Sequence, residues 1–198
     1  MNLFSANAGL QSLPIEDGEL ALLAQLPLPI SNAEVFARLR DETAWRHDSV
    51  VVYGKRHLQP RLTAWYGEAS YTYSGLRLAP MPMTPLLEQL RAAVEAVTSH
   101  RYNSVLLNYY RDGADSMGMH SDDEPELGPA PVIASLSYGA TRSFILRHRR
   151  SKQTLKLALG DGNLLLMAGA MQGNWLHGIN KTTRQTGPRI NLTFRYVG

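Results

Sequence analysis

The chain has 198 residues, 44% hydrophobic and 19% charged, with 16 Gly and 11 Pro, the composition of an ordinary globular protein able to bury one substantial core. It has no cysteine, which excludes disulfides, thiolate zinc sites, iron-sulfur clusters and cysteine nucleophiles and leaves His, Asp and Glu as the strong metal ligands. The net charge of +3 hides an asymmetry: residues 1–141 carry 10 Lys+Arg against 16 Asp+Glu, whereas residues 142–198 carry 10 against Asp161 alone, which suits a polyanionic partner or a basic sheet face balancing an acidic half.

The opening stretch MNLFSANAGLQSLPIEDGEL has neither a basic n-region nor an apolar run ending in a cleavage site, and no later run has the length of a membrane helix. A cytoplasmic protein that avoids membranes is expected. Residues 1–18 lack periodicity and read as an arm or loop. Ser31, with Glu34 three residues on and Val35, Phe36 and Leu39 on one face, predicts a capped helix ending near Thr43. SVVVYGK, RLTAWYG and SYTYSG, between residues 49 and 75, read as short strands joined by Gly turns. A second helix is predicted from about Thr84 to Val97, with Pro85 in its first turn and Leu86, Leu87, Leu90, Val94 and Val97 at helical spacing. Strands follow in SVLLNYY, APVIASLSYG, RSFILRH, TLKLAL, GNLLLMAG, WLHGI and RINLTFRYV, with turns at Asp112-Gly113, Tyr138-Gly139 and a hairpin turn at Gly160-Asp161-Gly162. Helices first and strands afterwards indicate α+β, mostly β, with an antiparallel sandwich or barrel packed on the helices.

The chemistry concentrates in two places. His120 and Asp122 are separated by one residue, so on a strand or its exit both side chains reach the same side and can share one ion. His177, in GNWLHGI at what reads as the edge of another strand, supplies a third ligand and completes a 2-His-1-carboxylate set, the facial triad of non-haem iron(II) oxygenases. Zinc would use the same residues. In the last strand Arg189, Asn191, Thr193 and Arg195 alternate with Ile190, Leu192 and Phe194, which puts four polar groups on one face. Two guanidiniums with two neutral hydrogen-bonding groups suit a dicarboxylate. Asn108 and Tyr110 share a face in the same way and add an amide and a phenol.

In this order, Asn108-x-Tyr110, His120-x-Asp122, His177 and Arg189-x-Asn191-x-Thr193-x-Arg195 resemble the AlkB family of iron(II)- and 2-oxoglutarate-dependent dioxygenases, over about residues 50–198. The resemblance is greatest to the branch that repairs alkylated double-stranded DNA. It implies a double-stranded β-helix (jelly roll) with supporting N-terminal helices and a nucleotide-recognition lid. The chain then divides into an arm at 1–30, helices and lid at 31–100 and an oxygenase core at 101–198, all in one compact domain. The resemblance makes His120, Asp122 and His177 the iron ligands and puts Asn108, Tyr110, Arg189, Asn191, Thr193 and Arg195 around 2-oxoglutarate. Cosubstrate and O2 are then used to hydroxylate the N-methyl group of a damaged base, which leaves as formaldehyde.

The same resemblance assigns the substrate side. A methylated base inside a duplex must be flipped and stacked before it can react. Tyr71 and Tyr73 would line the base pocket, Tyr53 would fill the gap left by the flipped base with Gly54 beside it, and Asp123 and Glu124 would contact the damaged nucleotide. The stretch between Tyr66 and Tyr73 is shorter than in the double-strand enzyme, and phenols stand at 53 and 73 where that enzyme has Phe. Lys55, Arg56, Arg61, Arg142, Arg147, Arg149, Arg150 and Lys152 are candidate phosphate contacts. The expected partner is alkylated DNA, single- or double-stranded, with RNA as a further substrate, and the protein is expected to be a monomer working where DNA is, in nucleoid or nucleus. A different substrate class, a protein side chain or a small metabolite, would use the same oxygenase chemistry without needing a wedge or a phosphate track.

Overall fold

The computed structural model describes residues 9–52, 55–68, 71–73, 76–78 and 80–198, and the backbone path alone at 50–52, 55–56, 71–73 and 76–78. In chain order the elements are β1 (Gln11–Leu13), β2 (Glu19–Leu23), α1 (Asn32–Glu42), β3 (Ser49–Val52), β4 (Lys55–Leu58), β5 (Leu62–Gly67), β6 (Tyr71–Tyr73) and β7 (Leu76–Leu78). They continue with α2 (Pro85–Thr98), β8 (Ser104–Tyr110), β9 (Met117–His120), a 3-10 turn (Pro125–Leu127), β10 (Ile133–Gly139), β11 (Arg142–His148) and β12 (Thr154–Leu159). Last come β13 (Leu164–Ala168), the one-turn helix α3 (Met171–Asn174), β14 (Trp175–Ile179) and β15 (Arg189–Arg195).

Both long helices form where their caps predict. Ser31 Oγ accepts the Glu34 N–H at 3.2 Å and Thr84 Oγ1 accepts the Leu87 N–H at 3.3 Å, each satisfying a first-turn donor that has no partner inside its helix. Val35 and Leu39 of α1 and Leu86, Leu87, Leu90 and Val94 of α2 are then buried on one face of a large sheet.

That sheet is antiparallel, seven-stranded and ordered β1-β2-β13-β10-β15-β8-β5; a second, four-stranded sheet is ordered β12-β11-β14-β9. Alternation gives the large sheet two different faces. Val105, Leu107, Leu136, Ile190, Leu192 and Phe194 meet the helices, whereas Leu106, Tyr110, Ile133, Leu165 and Met167 share a second core with Phe144, Leu146, Trp175 and Ile179 of the small sheet. The result is the expected jelly-roll sandwich with helices on the outside of the larger sheet.

Three expectations change. The stretch read as an N-terminal arm contains β1 and β2, and β2 pairs with β13 from Leu23↔Leu164 to Glu19↔Ala168, so the large sheet extends into residues 1–30. β5, in the stretch assigned to helices and lid, pairs along β8 as the opposite edge of that sheet. The turn at Gly160–Gly162 does not close a hairpin: β12 and β13 belong to different sheets, and the chain crosses between them with Gly162 at φ +80°, in the left-handed region.

Candidate active site between the sheets

The two histidines meet because β9 and β14 are neighbours. His120 lies opposite His177, and the register shifts before the next pair, Met117 and Ile179. The strands come close at Gly178, where a Cβ would stand 2.8 Å from the Met117 carbonyl oxygen. The imidazole centroids are 4.4 Å apart, and one ligand atom each from His120, Asp122 and His177 lie within 4.8 Å of one another. His177 is held in the middle of β14, itself between β11 and β9, and not at the edge of a strand as expected.

Surrounding groups orient these ligands. Gly118 O lies 2.9 Å from His120 Nδ1, and since a carbonyl only accepts, Nδ1 carries the proton and Nε2 is left as the ligand nitrogen. Phe144 stacks on His177 at 5.3 Å and 26°. Asp122, just beyond β9, donates its backbone N–H to Gln172 Oε1 at 3.0 Å, and its Oδ1 accepts from Arg195 Nη2 at 2.5 Å. Burial alone would raise the Asp122 carboxyl, but Arg195 and the two histidines outweigh it and hold the pKa below the ordinary carboxylate range. Burial also lowers both imidazoles, His177 to about 3, so both are neutral at physiological pH, as metal ligation requires.

All nine residues predicted to hold metal and cosubstrate line one cavity, whose space for the centre of a water-sized sphere is about 30 Å³. On β15 the period-two reading holds: Arg189, Asn191, Thr193 and Arg195 face it, with Tyr110 opposite Arg189 and Asn108 opposite Asn191 on β8. Arg189 is 1% exposed. Its Nη2 donates to Ser137 Oγ at 2.8 Å and its Cζ lies 5.3 Å from the Tyr110 ring, while Nε and Nη1 have no partner. Burial pulls its pKa down to about 10, so the guanidinium remains charged. A buried cation with two unpartnered nitrogens fits a carboxylate, the group that the donor fork matches in pairs. Asn191 is more tied down: its Nδ2 donates to Ser135 Oγ at 2.8 Å and Leu136 O at 3.0 Å, and its Oδ1 accepts from Thr193 Oγ1 at 3.2 Å.

A family model described as the 2OG-Fe(II) oxygenase superfamily matches residues 20–195. The chain belongs to the 2OG-Fe(II) oxygenase superfamily. It is 43% identical over 173 residues to the alpha-ketoglutarate-dependent dioxygenase alkB homolog 3 of Mus musculus, covering 82% of this chain and 60% of that protein. It is 41% identical over 177 residues to the DNA oxidative demethylase ALKBH2 of Homo sapiens, covering 83% of this chain and 68% of that protein. The chain thus spans about three fifths of the alkB homolog 3 relatives and about two thirds of the human ALKBH2. The solved structure of OsALKBH1 superposes with a TM-score of 0.66 at 16% identity, covering 94% of this chain and all of that one, a likeness of fold.

The predicted substrate side is described in part. Tyr53 and Gly54 lie outside the described residues; Lys55, at the start of β4, and Tyr71 and Tyr73, at the ends of β6, are described in backbone only. Asp123 is exposed at the mouth of the ligand loop, where Arg149 Nη2 lies 3.2 Å from Asp123 Oδ2 and 2.7 Å from Ser121 Oγ; Glu124 is half-buried beside it. Two predicted phosphate contacts are corrected. Arg142 is buried and spends its guanidinium on the carbonyls of Asp112, Asp115 and Asn180. Arg61 is 5% exposed and turns inward, its Nε donating to Asn108 Oδ1 at 2.7 Å. Neither presents its charge to a phosphate at the surface.

Sequence reasoning missed Ser135, Ser137, Phe144 and Gln172. The serines alternate in IASLSYG, so the argument applied to β15 would have found them. Gln172 carries no such signal, because it meets Asp122 from 50 residues away.

Proposed function

We propose that this chain is a DNA repair demethylase that oxidises the alkyl group of N-alkylated bases such as 1-methyladenine and 3-methylcytosine. His120, Asp122 and His177 hold iron(II); Asn108, Tyr110, Arg189, Asn191, Thr193 and Arg195 hold 2-oxoglutarate. The observation that carries the reading is the convergence of these nine side chains on one cavity whose buried Arg189 has two nitrogens, Nε and Nη1, without partners. A buried cation with nitrogens left unpaired is costly, and a bound anion would offset that cost.

When bound, iron with 2-oxoglutarate and O2 supplies the oxidising power to convert an N-methyl to an N-hydroxymethyl group, which is lost as formaldehyde. The residues of this chain do the positioning. Gly118 fixes the tautomer of His120, and Arg195 and Gln172 fix Asp122, so the ligand set is assembled in advance. Phe144 and the apolar core between the sheets exclude water from His177. At the mouth, Asp123 and Glu124 favour the positive charge of a methylated adenine or cytosine, and Tyr53, Tyr71 and Tyr73 stack the flipped base.

The family name of human ALKBH2, DNA oxidative demethylase, supports DNA as the substrate class. RNA is a second substrate in this reading, and the protein acts as a monomer in the compartment that holds DNA. Among the described residues no helix is long and apolar enough to cross a membrane.

The test is conversion of 2-oxoglutarate to succinate by iron-loaded protein, with and without an oligonucleotide carrying one 3-methylcytosine, single- or double-stranded. Succinate stimulated by the lesion, with matching formaldehyde, is expected. Turnover that no lesion in DNA or RNA stimulates would move the substrate to a protein side chain or metabolite, and absence of turnover would overturn the oxygenase assignment.

A further inference from the structure

An asparagine amide is nearly symmetrical in shape and opposite in polarity at its two ends. Whichever end Asn108 turns to the cavity decides whether that wall attracts or repels a carboxylate. Arg61 settles it. A guanidinium only donates, so the Asn108 atom 2.7 Å from Arg61 Nε is the acceptor Oδ1, and Nδ2 is the remaining polar group of a side chain that lines the cavity. Among the described residues no group accepts from that Nδ2, so its two donors are available to a ligand. Without Arg61 the amide could rotate and present oxygen to an anion.

The placement is built into the fold. Arg61 immediately precedes β5, whose Thr63 pairs with Asn108 on β8, so the guanidinium lies alongside the strand it contacts. Its Nη1 reaches Ser116 O at 3.3 Å, just before β9, and no carboxylate pairs with it among the described residues. Burying an arginine against an amide and a carbonyl alone is costly in solvation, and an apolar residue would fill the space more cheaply. What the cation adds is a fixed donor aimed at Oδ1.

We propose that Arg61 is a positioning residue for 2-oxoglutarate: it locks the amide of Asn108 so that Nδ2, not Oδ1, faces a carboxylate of the cosubstrate. This rests on the oxygenase reading and adds to it a residue that touches neither metal nor cosubstrate.

The test is a double-mutant cycle on 2-oxoglutarate affinity, read by calorimetry on protein loaded with Mn(II), so that no turnover is needed. Arg61→Met and Asn108→Ala are each expected to weaken 2-oxoglutarate about tenfold, the loss of one hydrogen bond to a charged group. The double variant should be no weaker than either single one, and Mn(II) affinity measured without 2-oxoglutarate should not change in Arg61→Met. Arg61→Lys, which keeps a donor, should recover most of the affinity. Wild-type affinity in Arg61→Met would overturn the proposal, and so would penalties that multiply, since these would mean that Arg61 acts through its charge alone. Should Arg61→Met not fold, a crystal structure of the wild type with Mn(II) and 2-oxoglutarate decides: Asn108 Nδ2 bonded to the ligand supports the proposal, and a ligand out of its reach overturns it. A wild type that binds no 2-oxoglutarate would overturn the oxygenase reading itself.

Discussion

At the scale of single residues, Arg61 and Arg189 are buried cations held by neutral partners, whereas Arg195 is paired with Asp122. Arg189 is the extreme case, with Ser137 and the face of Tyr110 as its partners and two nitrogens, Nε and Nη1, left over. Arg189→Met is expected to raise the 2-oxoglutarate dissociation constant by about 100-fold or more, because a desolvated carboxylate would lose its charged fork. Arg189→Lys should restore only part of this, since an ammonium cannot make the paired contact; titration of the Mn(II)-loaded variants measures both. The residues of β15 were legible because a strand forces every second side chain to one face. Arg61 was misread for the opposite reason. It follows Pro60 at the start of a strand, where no period fixes the direction of its side chain, and its partner is 47 residues away.

At the scale of elements, the turn between β8 and β9 sets where β9, and with it His120, begins. Asp115 accepts from the Arg111 backbone N–H at 2.9 Å and from Arg111 Nε and Nη2 at 2.8 and 2.9 Å, and Arg142 ties the carbonyls of Asp112 and Asp115 to that of Asn180. Burial pushes the Asp115 carboxyl up, but its bonds to Arg111 outweigh this and hold it below the ordinary value. A depressed carboxyl contributes stability above its unfolded pKa of about 4, and that contribution fades as pH falls through the lower folded value. Asp115→Asn should therefore destabilise by about 1 kcal/mol at pH 7, Arg111 being well exposed, and the melting temperatures of variant and wild type should converge as pH falls below about 4. Elements differ in how openly the sequence announces them. α1 and α2 begin at Ser31 and Thr84 because local chemistry specifies those ends. β1 and β2 are short and carry no alternation, and they become strands by pairing with each other and with the edge of β13, a tertiary event that composition does not record.

At the scale of the whole molecule, the basic half of the chain divides into inward and outward charge. Of the ten basic residues in 142–198, Arg142, Arg189 and Arg195 are buried, and Arg149 and Arg150 face Asp123 and Asp17. Arg147 and Lys152 are exposed, and Lys156, Lys181 and Arg184 lie along a groove between β12 and the loop that leads into β15. A polyanion on that groove would release one counterion per phosphate neutralised. Lys181→Gln and Arg184→Gln should each reduce the slope of log K against log salt by about 1 for an oligonucleotide, without changing 2-oxoglutarate affinity. Unchanged slopes would remove this groove from the path of the nucleic acid.

The two faces of β15 bear on how the protein avoids misassembly. Ile190, Leu192 and Phe194 meet the helices while Arg189, Asn191, Thr193 and Arg195 line the cavity. A slip of one residue against β8 and β10 would exchange the faces, driving two guanidiniums, an amide and a hydroxyl into the aliphatic layer under α1 and α2. The polar residues that line the cavity therefore also proofread the sheet: a chain that mispairs here cannot close its core, so errors in this strand end in unfolded protein and not in a folded protein with a spoiled cavity.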